Sequence, residues 1–295
     1  VRVFVTGATG FVGRNAVEAF RKSGHEITAG VNMKRQDYGF SEDIPVAPCP
    51  VDDSAAMGTS FAGHDVVVHL VGIIAETRTK TFEQTVARGT ENVVAACRQA
   101  GVGKIVYLSA LGTKPGAASW YHRTKFHAEE AVKSSGLMYS ILRPSVIYGP
   151  GDGFVTLLAK MLTSAPITPV IGDGRYRLQP IHIDDLAPMI VRSATEAVAD
   201  FQTIDIAGPE KLEYLEILGI IKTVLNKRRP KLFLPVWLMR RVAGILEKIV
   251  KPAPLTRDQI TMMLAGNTGD ITLMREIFGI EPREFKNGLL TYLGK

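Results

Sequence analysis

VRVFVTGATGFVG, residues Val1 to Gly13, decides the reading of this chain. Val1–Val5 is a short apolar run with β-branched residues, as a buried strand requires. Three glycines follow at positions 7, 10 and 13, and a helical stretch begins at Phe11. Gly7 permits a sharp turn, Gly10 lets the backbone approach a pyrophosphate, and Gly13 lets helix and strand pack closely. A helix N-terminus with free N–H groups and the positive end of its dipole then faces the anion. Glycines also mark ordinary turns, but a glycine triplet between a strand and a helix is the context of a dinucleotide site.

The pattern outward from this loop agrees. Strand-like segments at 26–31, 46–50, 65–72, 104–109 and 138–144 alternate with helical ones at 82–100 and 120–135. Steady alternation predicts an α/β fold, a Rossmann-type doubly wound parallel sheet with helices on both faces. After Gly149 the rhythm breaks into Gly- and Pro-rich segments and then helices. We therefore expect a nucleotide-binding domain over 1–148 and a smaller, mostly helical substrate region over 149–295, with the chain returning to the first domain at about 179–207.

The end of the second strand bears on the cofactor. An NAD site usually places an acid there for the ribose 2′-hydroxyl. Here stand Val31, Asn32, Met33, Lys34 and Arg35, with no acid before Asp37. Two cations suit a 2′-phosphate, so NADP(H) is the expected cofactor and NAD(H) the alternative; as solvated loop charges they would discriminate little.

Ser109 ends the strand at 104–109, and Tyr121 and Lys125 follow at i and i+4 on one helix face. A free tyrosine, with a pKa of about 10, is a poor base. A nearby ammonium lowers that value. The set reads as a proton-transfer group for hydride chemistry, with Ser109 holding the substrate oxygen, Tyr121 carrying the proton and Lys125 also placing the cofactor. A Tyr/Lys pair on a helix is common by itself; its place in a nucleotide-binding sheet gives it meaning.

Composition narrows the field. The chain has 295 residues, 46% of them hydrophobic, enough for a substantial core. No apolar run reaches the ~18 residues of a membrane span, and the strand at the very start leaves no signal peptide to read. Cys49 and Cys97 lack metal or redox spacing, so reduced thiols in a cytoplasmic protein are expected. His182, Asp184 and Asp185 resemble a metal cluster only superficially; an acid capping a helix is the expected role, with no metal. His69 reads as a hydrogen-bonded core histidine. The net charge of +6 is concentrated: segment 226–251 holds eight basic residues and one acid. A general nucleic-acid surface is therefore not expected. Within that segment, 236–250 has helical period, with Arg240, Gly244, Glu247 and Lys248 on one side and Trp237, Leu238, Val242, Ile245, Leu246 and Ile249 largely on the other. Two readings stay open: a helix packed on the second domain with a solvated charged face, or weak peripheral contact with an anionic membrane. The oligomeric state is not read from the sequence.

TGATGFVG, HLVG, LSALG, YHRTK, LRPSVIYGPGD and PIHIDDLA occur in order from Thr6 to Ala187. In these motifs the chain resembles the extended or atypical short-chain dehydrogenase/reductases of the NAD-dependent epimerase/dehydratase superfamily. The runs 108–132 and 178–187 resemble more narrowly the relatives of the 39 kDa accessory subunit of respiratory complex I. The resemblance implies catalytic positions at Ser109, Tyr121 and Lys125. It implies cofactor contacts at Gly7, Thr9, Gly10, Phe11, Val12 and Gly13, at Asn32, Lys34 and Arg35, and at Asp52 and Asp53 near the adenine. Further contacts are implied at Leu70, Val71 and Gly72, with Pro144, Ser145 and Val146 beside the nicotinamide. Gly151 to Gly153, Arg177 and His182 would lie nearer a substrate. Val86 stands where the extended family usually has Asn, and the short 109–121 loop leaves little wall for a nucleotide-sugar. Three functions follow as expectations: a small-molecule oxidoreductase acting on a carbonyl or alcohol, possibly apolar; a nucleotide-holding accessory protein without turnover; and a nucleotide-sugar epimerase or dehydratase.

Overall fold

The computed structural model describes residues 1–32 and 38–293. The chain begins with β1 (Arg2–Thr6), α1 (Phe11–Lys22), β2 (Glu26–Val31), β3 (Val46–Pro48), α2 (Ser54–Phe61) and β4 (Val66–His69). A π-helical turn, Glu83–Ala87, runs into α3 (Arg88–Ala100), followed by β5 (Lys104–Leu108), α4 (Trp120–Lys133) and β6 (Met138–Pro144). Beyond lie β7 (Ile147–Tyr148), α5 (Phe154–Ser164), β8 (Thr168–Ile171), β9 (Arg177–Leu178), β10 (Ile181–His182), α6 (Ile183–Thr195) and β11 (Gln202–Ile206). The chain continues through β12 (Leu212–Glu213), α7 (Tyr214–Val224), β13 (Lys231–Leu234), α8 (Val236–Ile249), α9 (Arg257–Ala265), α10 (Thr272–Phe278) and α11 (Phe285–Leu290).

Seven strands form one parallel sheet in the order β11-β6-β5-β4-β1-β2-β3. The order reverses between β1 and β4, so the crevice at their C-terminal ends is the natural ligand position. Alternation of side chains sorts the strand residues to two cores. Val3, Val5, Val66, Val68, Val106 and Leu108 meet α1, α6 and α10. Phe4, Val67, Ile105 and Tyr107 meet α2, α3 and α4. Burying such a side chain contributes roughly 1.5–3 kcal/mol, and both faces of the sheet are sealed in this way. Cys49 and Cys97 are free thiols in the second core, and burial pushes Cys49 up to about 12 and raises Cys97 likewise.

α6 and β11 return to the first sheet: α6 packs on α1, and β11 pairs with β6. A third core joins α5, α7 and α11 through Leu158, Leu162, Ile217, Leu218 and Phe285. The helix expected over 82–100 starts in the π-helical turn, which holds Val86 fully buried. α2 was not expected, because its small residues give little amphipathic period. His182, not an acid, caps α6: its Nδ1 accepts from the Asp184 N–H at 3.1 Å, while Asp185 is paired with Arg283. Among the described residues no helix is long and apolar enough to cross a membrane.

Candidate active site

The glycine loop shows what each glycine is for. Gly7 has φ +68°, and a Cβ there would meet the backbone of Leu70 and Val71 at 3.1 Å. A Cβ on Gly13 would lie 2.2 Å from the Gly7 carbonyl. On Gly10 the one neighbour among the described residues is that same carbonyl at 3.3 Å. Gly7 and Gly13 thus hold strand, turn and helix together, whereas Gly10 meets little else among the described residues. α1 has no side-chain cap and no acid in its first turn, so Phe11, Val12 and Gly13 begin a helix ready for an anion. These residues fit a dinucleotide.

Around the loop, Thr9 supplies a carbonyl that accepts from Arg14 Nε at 3.2 Å. The Arg14 guanidinium also stacks on Phe40 at 5.4 Å and approaches Gly39. It therefore stands between the glycine loop and Gly39 and Phe40. The sequence reading missed it, although a cation one residue after the third glycine was the available signal. Asn32 is exposed at the end of β2, and its carbonyl accepts from the Tyr38 hydroxyl. Lys34 and Arg35 fall outside the described residues. Asp52 is exposed, and Asp53 caps α2 by accepting from the Ala56 N–H at 3.0 Å. Leu70, Val71 and Gly72 follow β4 beside Gly7.

Lys125 lies under the sheet's C-terminal edge. Its Nζ donates to the Leu108 carbonyl at 2.7 Å, sits 4.7 Å from the Tyr107 ring and is 3.6 Å from a Cβ position on Gly72. Burial pushes it down to about 7, with Glu129 partly opposing. Tyr121 packs edge-on to Phe82 at 5.9 Å and to His122 at 5.3 Å. Burial pushes its phenol up to about 12. The lowering expected from the i,i+4 ammonium is not realised, because Lys125 is drawn beneath β5 and its environment resists the charge. The phenol is held protonated, which suits a proton donor better than a base.

Ser109 departs further from its expected role. Its hydroxyl donates to Glu129 Oε1 at 2.5 Å, and Glu129, wholly buried on α4, takes two bonds from Arg143 at 2.8 and 2.6 Å. Ser109 is thus tied to a buried ion pair. Ser145 is also engaged, donating to the Asn267 carbonyl at 3.1 Å between Pro144 and Val146. His182 is fully buried against Tyr148. Gly151 and Gly153 are exposed around the buried Asp152, and Arg177 is exposed. His69 is a core residue, bonded to Thr6 at 2.7 Å and Thr90 at 3.2 Å, and burial depresses it to about 3.

One residue from far along the chain enters the site. Asp258, on α9, accepts from the Trp120 and Tyr121 N–H groups at 2.7 and 3.1 Å. It ties the start of α4, and with it Tyr121, to the C-terminal region. No local pattern could have found it, since the partners are 137 and 138 residues apart. A cavity of about 760 Å³ lies here, lined by Phe82, Trp120, Arg123, Val250 and Lys251 among others. A smaller one, about 420 Å³, lies by the starts of β1 and β2, at the wrong end of the strands for the crevice.

Comparison with known proteins agrees with this architecture. The profile of the NAD dependent epimerase/dehydratase family matches residues 3–207. The chain is 26% identical over 273 residues to the mitochondrial NADH dehydrogenase [ubiquinone] 1 alpha subcomplex subunit 9 of Arabidopsis thaliana, covering 87% of this chain and 66% of that protein. It is 30% identical over 193 residues to the ceramide reductase of Caulobacter vibrioides, covering 64% of this chain and 59% of the reductase. It spans 28% of the length of the uncharacterised mycobacterial proteins that it matches. UDP-glucose 4-epimerase of Thermotoga maritima superposes with a TM-score of 0.78 at 18% identity, over 98% of this chain and 96% of the epimerase, which is a likeness of fold. With the glycine loop, the seven-stranded sheet and the family profile in agreement, the chain belongs to the NAD dependent epimerase/dehydratase family, as an extended short-chain dehydrogenase/reductase related to the complex I 39 kDa subunit.

Proposed function

We propose that this chain is an NADP(H)-dependent oxidoreductase that reduces the carbonyl of a small, apolar molecule. The observation that carries the reading is the placement of Tyr121 on the same helix as Lys125, whose Nζ lies against Gly72 beside the glycine loop. A bound nicotinamide supplies the hydride; Tyr121 delivers the proton to the nascent alkoxide, and Lys125 orients the ribose. Phe82, Trp120 and Val250 line the adjacent cavity together with charged residues such as Arg123, Lys251 and Asp258, and the related ceramide reductase carries a lipid in its name. Arg14 favours the phosphorylated cofactor, and the sequence adds Lys34 and Arg35 after β2.

The test is NADPH consumption by the full chain with long-chain ketones, quinones and short carbonyls. Turnover lost in Tyr121→Phe with nucleotide affinity intact supports the reading; an equally active Tyr121→Phe removes it. Calorimetry of Arg14→Ala and Arg35→Ala should show weakened NADPH binding with NADH spared, and equal losses refute the preference. A second reading, a nucleotide-holding accessory protein without turnover, is favoured by the commitment of Ser109 to Glu129 and by the apolar Val86. Nucleotide that copurifies yet is never oxidised by any of these substrates would select it.

A further inference from the structure

α8 is turned inside out relative to an ordinary surface helix. The small residues Ala243 and Gly244, with Glu247, face the body: Ala243 is the one wholly buried residue of the helix, Gly244 lies against Arg257, and Glu247 bonds Arg257 at 2.7 and 2.9 Å. Leu238, Val242, Ile245 and Ile249, spaced i, i+4, i+7 and i+11, form a stripe on the opposite side. They are exposed, Ile245 by 58% and Ile249 by 68%. Trp237, 61% exposed, flanks the stripe with Arg241 stacked on it at 5.5 Å, and Phe233 just before the helix is half exposed. The helix is packed on the body through Ala243, with Val236, Met239 and Leu246 half-buried, but the outer part of its apolar side is exposed among the described residues. An exposed apolar face of this size marks a binding surface.

Charge names the occupant. The surrounding segment 226–251 carries eight basic residues, and its single acid, Glu247, is neutralised by Arg257. Arg241 and Lys248 lie beside the stripe, and Lys227, Arg228 and Lys231 precede the helix. A second copy of this chain would bring two such cationic segments together, which like-charge repulsion opposes. An apolar stripe, an interfacial tryptophan and flanking cations fit a surface that is apolar inside and anionic at its rim. We infer that α8 docks the protein on an anionic phospholipid bilayer, with the stripe at the acyl boundary and the cations among the headgroups. The inference concerns docking alone and stands whether or not the chain turns over.

The experiment is co-sedimentation of the full chain with vesicles of 30% phosphatidylglycerol in phosphatidylcholine, and with pure phosphatidylcholine, at 50 and 500 mM salt. The expected result is binding to the anionic vesicles that weakens at least tenfold at high salt. In a Trp120→Phe background, Trp237 emission should shift to the blue on binding. Ile245→Ser with Ile249→Ser, and separately Arg241→Glu with Lys248→Glu, should each weaken binding at least tenfold while nucleotide affinity and Tm hold. All four positions are exposed, so the fold is not at risk. Absence of binding at low salt overturns the proposal, as does equal binding by the serine variant. A dimer in light scattering that the serine variant dissociates, without vesicle binding, overturns it in favour of a second copy.

Discussion

Lys125 is the residue whose charge is most exposed to experiment. Burial brings it to about 7 in the folded chain, whereas the unfolded chain keeps the proton to about 10.4. Between those values unfolding takes up a proton, so stability rises with pH across that window, and the cost of the buried ammonium is greatest below pH 7. Lys125→Met should therefore stabilise the free protein by about 1–3 kcal/mol at pH 6, with a smaller gain at pH 9. Urea unfolding at both pH values checks this, and equal gains would refute the titration. Tyr121, held protonated to about 12, contributes no such dependence near neutrality; Tyr121→Phe should cost turnover on the order of 10²–10⁴-fold. That Tyr121 and Lys125 share a helix was legible from their spacing. The direction of Lys125 was not, because the Leu108 carbonyl and Tyr107 ring that draw it under β5 come from another element. For the same reason the bond from Ser109 to the Glu129–Arg143 pair was not legible from spacing.

At the scale of elements, the glycine loop separates folding from binding. Gly10→Ala meets little, so it should fold with a near-native Tm and lose at least tenfold in nucleotide affinity, on the order of the ~1.4 kcal/mol that a factor of ten represents. Gly13→Ala places a methyl into the Gly7 carbonyl, and should lower stability by roughly 1–3 kcal/mol or more. Thermal melts with and without NADPH distinguish the two. α4 is fastened at both ends by buried or distant carboxylates. Glu129→Ala strands Arg143 and should cost roughly 3–5 kcal/mol. Asp258→Ala leaves two N–H groups at the start of α4 without their acceptor and should cost about 1 kcal/mol, with kcat falling as Tyr121 loosens; an unchanged kcat would show that α4 needs no such tether. The strands and most helices of the sheet could be read because period, turn residues and burial on two faces all agree there. α8 could be read as amphipathic, but periodicity reports that an apolar side exists and not whether anything covers it. α2 escaped because Ala, Gly and Ser carry little period.

For the whole molecule, charge is placed at one end: the segment around α8 holds more positive charge than the net +6 of the chain. The lining of the large cavity includes Val250 and Lys251, at the end of that same helix. If docking and turnover are both present, anionic vesicles should accelerate reduction of a membrane-borne ketone and leave a short soluble carbonyl unaffected; equal effects on the two would uncouple them. The route of the chain has another outcome. β11 closes the sheet beside β6 more than fifty residues later in sequence, and α10 adds Met274 and Phe278 to the core that contains β1. A fragment ending at residue 207, where the family profile stops, should therefore bind a hydrophobic dye and melt without cooperativity, and a sharp native-like transition would refute this. During synthesis β11 must wait for α10 to leave the ribosome before its side of the core is sealed. In that interval Ile204 and Ile206 lack Met274 and Phe278, so the chain's exposure to misfolding follows the order of its elements rather than its final stability.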